Sequence, residues 1–163
     1  MRARLESHLA SHQVARVTYG AIIGLAVLLA LEDHAPGGWG VLGWLLATAV
    51  AVALAEIYSD VLGVETSERH RVTRPQLLHI AEAGTAVAFG IAFPAVYFLL
   101  AVLSVITLET AFAIATWSGL GLIGFYGYWA ARFAGATTVR AVLRGIGVAL
   151  IGEALILLEA LLH

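Results

Sequence analysis

The sequence predicts an all-α fold, a polytopic membrane bundle of about five transmembrane helices, on three observations. First, 61% of the 163 residues are hydrophobic and 12% charged, whereas a soluble domain carries roughly 25% charged residues. So few charges cannot cover a soluble core, and lipid is the solvent that suits the composition. Second, apolar runs of near twenty residues alternate with short polar connections. Third, every cation falls in one of three clusters placed at alternate connections.

Met1 to Gln13 is a polar, amphipathic lead-in containing Arg2, Arg4, Glu6, His8 and His12. The first apolar run, residues 14–31, ends in Glu32-Asp33-His34 without a small-residue cleavage pattern, so it is expected to stay in the protein as a helix. Acids, Pro36, Gly37 and Gly38 then form a turn. The second span covers residues 40–63. The cytoplasmic loop 64–76 follows and holds the most polar stretch, with Glu68, Arg69, His70, Arg71 and Arg74. Pro75 stands where proline favours a helix start.

From Leu77 to Ala131 the only Asp, Glu, His or Arg side chains are His79, Glu82 and Glu109. That stretch is too long for one crossing of about 20 residues and suits two. The spacing places spans at 77–103 and 107–131 with a tight turn near Ser104 to Thr107. After a connection with Arg132, Gly135 and Arg140, residues 142–162 form the fifth span. No internal repeat marks off a second domain, so residues 1–163 read as one transmembrane unit.

Arginine placement sets the orientation. Arg2, Arg4 and Arg16 precede or open the first span; Arg69, Arg71 and Arg74 lie between the second and third; Arg132, Arg140 and Arg144 lie between the fourth and fifth. By the positive-inside rule these connections are cytoplasmic. The amino terminus is then inside, the carboxyl terminus outside, and the expected location is the plasma (inner) membrane. Tyr19, Tyr58, Tyr128 and Trp129 fall near the inner boundary, and Trp39, Trp44 and Tyr97 nearer the outer one. Trp117 sits mid-span and reads as a packing residue.

Composition also excludes chemistry. A net charge of −2 offers no field for nucleic acid. The chain has no lysine for a Schiff base and no cysteine for a disulfide, thiolate nucleophile or thiolate metal site. Histidines stand at span ends or outside, against a bis-histidine haem. The glycines of the fourth and fifth spans follow no strand and precede no Gly-Lys-Ser/Thr, so they read as packing residues and not a phosphate cradle. No serine–histidine–acid set or His-Glu-x-x-His motif appears, and an enzyme is not expected.

The carboxylates are the remaining signal, because an acid at the bilayer centre costs about 3 kcal/mol or more. With about 1.5 Å of rise per residue, Glu153 lies roughly 13 Å beyond Arg144, near the midplane, and Glu159 roughly 22 Å beyond it. Glu56 and Asp60 lie near the inner end of the second span, Glu82 near that of the third, and Glu109 near the outer end of the fourth. Ala49, Ala53, Glu56 and Asp60 share a helix face, as do Glu82, Ala86, Gly90 and Pro94; Arg16, Gly20 and Gly24; and Ala149, Glu153 and Ala160. Small residues at such spacing mark close helix contact, so the acids are expected to turn into the bundle.

Two readings stand for each group. Glu153 is an ion or proton site, or a protonated acid hydrogen-bonded to a neighbouring helix. Glu56 and Asp60, with His79 and Glu82, form a site for a divalent ion, since carboxylate with imidazole suits Mn, Fe(II) or Zn. The alternative is an interfacial charge pair with Arg16, Arg71 or Arg74 as counter-ion. Glu32, Asp33 and His34 form an acidic outer turn, either a cation-attracting mouth or a solvated loop.

Three stretches carry a resemblance. Ala55-Glu56-Ile57-Tyr58 is similar to the Gly-Glu-Tyr region of the VIT/CCC1 family of vacuolar iron and manganese transporters. Gly90-Ile91-Ala92-Phe93-Pro94 through Leu100 resembles that family's third helix. Ala130-Ala131-Arg132 through Arg140, Arg144 and Gly147 resembles its arginine-flanked last loop and helix. The resemblance implies five spans, a role for Glu56, a dimer and divalent-cation substrates. Two features depart from it: residues 14–31 hold no acid where the family has a metal-binding aspartate, and loop 64–76 is too short for the family's cytoplasmic glutamate-rich domain.

The expected function is a small membrane cation transporter or channel, for divalent metal ions or protons, with Glu153, Glu56, Asp60 and Glu82 along the ion pathway. A homo-oligomer, with a dimer favoured, gives five short helices room for that pathway at a subunit interface. The alternative is a non-transporting scaffold or accessory subunit whose acids are structural.

Overall fold

The local rules of helix starting and stopping produce long helices here. The computed structural model describes residues 2–32, 34–147, 150 and 154, with side chains from Gln13 onward, and holds no strand among them. Helix α1 spans Arg2–Glu32, α2 Gly37–Glu68, α3 Arg74–Ala92, α4 Ala95–Val102 and α5 Leu108–Phe133. A further helix, α6, is described from 138 to 147.

Helix α2 runs past Gly63, so the expected loop 64–76 is shorter than its sequence suggested. The chain leaves the helix at Arg69, in the left-handed region at φ 55°. Helix α3 starts at a capping box in which Thr73 and Gln76 bond reciprocally, with Pro75 in the first turn, as the proline predicted. The Gln76 amide also donates to Glu68 Oε2 at 3.0 Å, and His70 Nε2 lies 2.8 Å from the same oxygen. The turn is thereby tied at both ends.

Helix α5 starts where Thr107 Oγ1 accepts the Thr110 amide at 3.2 Å. It stops in a Schellman motif. The Ala136 amide donates to Ala131 O and the Gly135 amide to Arg132 O, both at 3.0 Å, with Gly135 at φ 79°. That left-handed position is one a glycine occupies without steric cost.

Residues 77–103, expected as one straight span, are broken. Helices α3 and α4 meet at a bend of 46°. Pro94 sits at the break and brings no N–H for the Gly90 carbonyl, which is the usual cause of a kink. The pair still runs the length of the bundle. Ile80 and Ala83 of α3 lie beside Ser59 to Ser67 of α2, whereas Phe98 of α4 lies beside Val41 and Leu45 at the start of α2.

The two ends of the bundle differ in character. At one end Leu28, Val41, Leu45, Ala95, Phe98, Ala111 and Phe112 form the largest core cluster. The rings of Phe98 and Phe112 meet edge to face at 4.8 Å, a favoured geometry for aromatic pairs. At the other end lie Arg16, the α2–α3 turn with Arg69 and Arg71, Arg74 at the start of α3, and Arg132 and Arg140 on either side of the α5–α6 connection. The clustering of cations on alternate connections thus becomes one arginine-bearing end.

Between the ends α1 lies against α2, α3 and α5, and its contact with α3 is backbone to backbone. A Cβ at Gly20 would strike the Val87 carbonyl oxygen, and one at Gly90 would strike the Val17 carbonyl oxygen. At Gly24 it would stand 3.0 Å from the Ile91 Cα. The predicted Gly20–Gly24 face is therefore a contact face, and Gly90 supplies its partner. Gly145 of α6 approaches α5 equally closely, 2.7 Å from the Gly124 carbonyl oxygen for an added Cβ.

Among the described residues three helices are long and apolar enough to cross a membrane, at Gln13–Glu32, Gly37–Glu68 and Leu108–Phe133, and the bent pair makes a fourth if α3 and α4 together are one span. The expected fifth span, 142–162, lies largely outside the described residues. Much apolar surface faces outward, including Trp44, Leu46, Val50, Leu54 and Leu62 on α2. A soluble monomer rarely exposes so continuous an apolar face. Trp117, read as a packing residue, is 72% exposed and belongs to this outer surface. Hydropathy gave its depth but not the side of α5 on which it stands.

Candidate functional site

Arg16, Glu56 and Asp60 form one charged unit at the arginine-bearing end. Glu56 and Asp60 are one turn apart on α2, so both carboxylates stand on one face. Helix α1 brings Arg16 against that face. Arg16 Nη1 donates to Glu56 Oε2 at 2.7 Å, and Nη2 donates to Asp60 Oδ2 at 2.7 Å. The planar guanidinium fork spans two acceptors as an ammonium could not. Of the three arginines proposed as counter-ion, Arg16 is the one that bonds to these acids; Arg71 and Arg74 stand exposed on the connection between α2 and α3.

The unit is half-sheltered. The side chains of Arg16, Glu56 and Asp60 are 25%, 24% and 31% exposed. No charged residue is buried and no buried polar side-chain atom lacks a partner among the described residues. Glu56 Oε1 and Asp60 Oδ1 have no partner among the described residues.

Asp60 borders a cavity of about 560 Å³ between α1, α2 and α3, in which Gln13, Arg16, Ser59 and Ser67 also take part. His79 and Glu82, three residues apart on α3, line the opposite wall, and both are exposed. Three of the four residues expected to bind a metal therefore share one cavity. Glu56, the fourth, lines shallower grooves beside Tyr19. Among the described residues no three His, Asp or Glu side chains converge closely enough to hold a metal ion.

Sequence reasoning missed Gln13, Ser59 and Ser67 as wall residues. Ser67 was legible in principle, since it lies seven residues past Asp60 on the same face of α2, whereas Ser59, adjacent to Asp60, was not. Glu153 and Glu159 lie outside the described residues. Glu32, His34 and Glu109 are exposed at the far end, away from the cavity. In comparisons with protein-family models, curated proteins and solved structures, the chain finds no significant match.

Proposed function

We propose that this chain is a multi-pass plasma-membrane protein that moves cations, with the Arg16-bridged carboxylates as the inner gate of the pathway. The observation that carries this reading is the cavity. At the cavity Asp60 and Glu82 bring two negative charges against one from Arg16, and Glu56, on the other side of the guanidinium, shares that same arginine, so the four side chains together carry a net −2, the charge that a single divalent ion would neutralise. A cation entering between Asp60 and Glu82 would compete with the guanidinium for Asp60, and His79 would offer a nitrogen ligand. The resemblance of the Glu56 region to vacuolar iron and manganese transporters points the same way.

In this reading the arginine-bearing end faces the cytoplasm, residues 142–162 complete a fifth crossing, and Glu153 serves the pathway deeper in the membrane. A second copy packs on α2, whose outward-facing Gly43, Ala47, Ala51, Ala55, Ser59 and Gly63 recur every fourth residue, the spacing that lets membrane helices approach closely.

One observation favours the scaffold reading instead: Arg16 already engages both carboxylates. Flux separates the two. Purified protein in liposomes is assayed for H⁺, Na⁺, K⁺, Mn²⁺ and Fe²⁺ movement beside Asp60→Asn and Glu153→Gln. The transport reading expects flux of at least one ion, reduced to the protein-free leak by Asp60→Asn and lowered or shifted in pH dependence by Glu153→Gln. Absence of flux for all five ions, with folded protein in the vesicles, would leave the scaffold reading.

A further inference from the structure

A second crevice lies at the arginine-bearing end, between α1, α3 and α5, and nothing in the cation pathway uses it. Its volume is about 380 Å³, and Val14, Val17, Ala86, Phe125, Trp129 and Phe133 line it. Three of these follow one another at every fourth residue of α5 and form a continuous ring surface. Phe125 stacks on Trp129 at 6.1 Å and 13°, and Trp129 meets Phe133 edge-on at 5.5 Å. All three remain open, at 57%, 43% and 57% exposure. The polar contributions come from Gln13 and Tyr126.

On the α5–α6 side of this crevice the sequence carries charge of one sign. From residue 110 to residue 152 the sequence contains no Asp or Glu, yet it holds Arg132, Arg140 and Arg144. All three are exposed, and none forms an ion pair with a described carboxylate. Arg132 sits one residue before Phe133, at the crevice edge. Its Nη1 donates to the Ala136 carbonyl at 3.0 Å, which holds the guanidinium over the end of α5, and its other N–H groups meet no acceptor among the described residues. Arg140 stands in the first turn of α6, on the same connection. The α1–α2 side contrasts with this, because Arg16 there is answered by two acids.

We propose that this crevice binds an anionic phospholipid, one acyl chain lying along Phe125, Trp129 and Phe133 and the phosphate meeting Arg132 and Arg140. An aromatic, open-sided groove takes an acyl chain, and arginines at the same end of the bundle, in no ion pair with a described carboxylate, select a headgroup with net negative charge over a zwitterionic one. A free phosphate would use the arginines but leave the rings idle. The proposal rests on the membrane reading, whose own failure would show as a tryptophan unquenched by any lipid.

The test uses the full chain with Trp129 as its sole tryptophan (Trp39→Phe, Trp44→Phe, Trp117→Phe), reconstituted in phosphatidylcholine vesicles. A small fraction of lipid carries brominated acyl chains, on phosphatidylglycerol in one sample and on phosphatidylcholine in the other. Brominated phosphatidylglycerol is expected to quench Trp129 as if enriched about thirtyfold over its bulk fraction, the scale set by the attraction of two arginines for an anionic lipid. Arg132→Gln with Arg140→Gln, both at exposed positions, removes the enrichment while circular dichroism stays unchanged. Lysophosphatidylglycerol competes, and glycerol phosphate does not. Equal quenching by the two brominated lipids, enrichment that survives the arginine replacements, or displacement by glycerol phosphate alone would each overturn the proposal.

Discussion

Gly90→Leu is expected to destabilise the bundle more than any other single replacement considered, because it forces apart α1 and α3 where their backbones meet. A Cβ at position 90 would strike the Val17 carbonyl oxygen and stand 2.7 Å from the Ala21 amide nitrogen. Both are backbone atoms, so no rotamer change relieves the contact and α1 must move away from α3. That movement also opens Gly20 against Val87 and Gly24 against Ile91, contacts of the same seam. Overpacking in a core costs about 1–3 kcal/mol even where side chains adjust. A rigid backbone clash repeated along a seam should reach at least the top of that range, or roughly 10 °C in unfolding temperature for a chain of this size. Gly121→Leu is the matched control, since nothing lies within 4 Å of an added Cβ there. It should stay within about 0.5 kcal/mol of the parent, as an unencumbered surface change does. Thermal unfolding in mild detergent reads both. A Gly90→Leu protein as stable as Gly121→Leu would contradict the packing described.

Arg16→Gln carries the second-largest expected effect. Glutamine is neutral and its single NH₂ group cannot replace both guanidinium bonds, so Glu56 and Asp60 are left as like charges one turn apart. Exposed pairs contribute about 0.2–1 kcal/mol, and breaking a fully buried pair costs about 3–5 kcal/mol. Side chains exposed by 24% to 31% fall between, and a loss of about 2 kcal/mol is expected. Arg16→Lys keeps the charge but not the fork and should lose about half as much. Adding Glu56→Gln and Asp60→Asn to Arg16→Gln should restore part of the loss, because the stranded charges go with the arginine. Such non-additivity is the signature of a coupled unit. Strictly additive losses would mean that the three side chains do not act together.

How far these features were readable in the sequence depends on the kind of information each requires. The glycine seam was visible, since the spacing of Gly20, Gly24 and Gly90 encodes a face, and a face of small residues has few uses other than close contact. The start of α3 was visible in Pro75. The break at Pro94 was passed over, although the proline was in plain view: hydropathy measures side-chain transfer and does not register a missing backbone N–H. Pairing between helices was only half legible. Three arginines were within plausible reach of Glu56 and Asp60, and choosing among them required the relative rotation of α1 and α2, which a single helix period does not contain. The same ignorance of rotation placed Trp117 inside when it stands outside. It also grouped Glu56 with His79 and Glu82, which the structure separates by Arg16.

The absence of cysteine gives a clean way to test whether the chain crosses the bilayer with all its arginines on one side. Single cysteines at Ser104, at Val72 and at Ala134 probe the turn before α5, the α2–α3 connection and the α5–α6 connection, and Leu162→Cys probes the far end of the fifth crossing proposed for residues 142–162. Labelling whole cells with a membrane-impermeant maleimide, before and after permeabilisation, should mark Ser104→Cys and Leu162→Cys at once, and Val72→Cys and Ala134→Cys only after the membrane is opened. Immediate labelling at Val72, or protection of Ser104 and Val72 alike in intact cells, would contradict the orientation on which the proposed cation pathway and the proposed lipid site both depend.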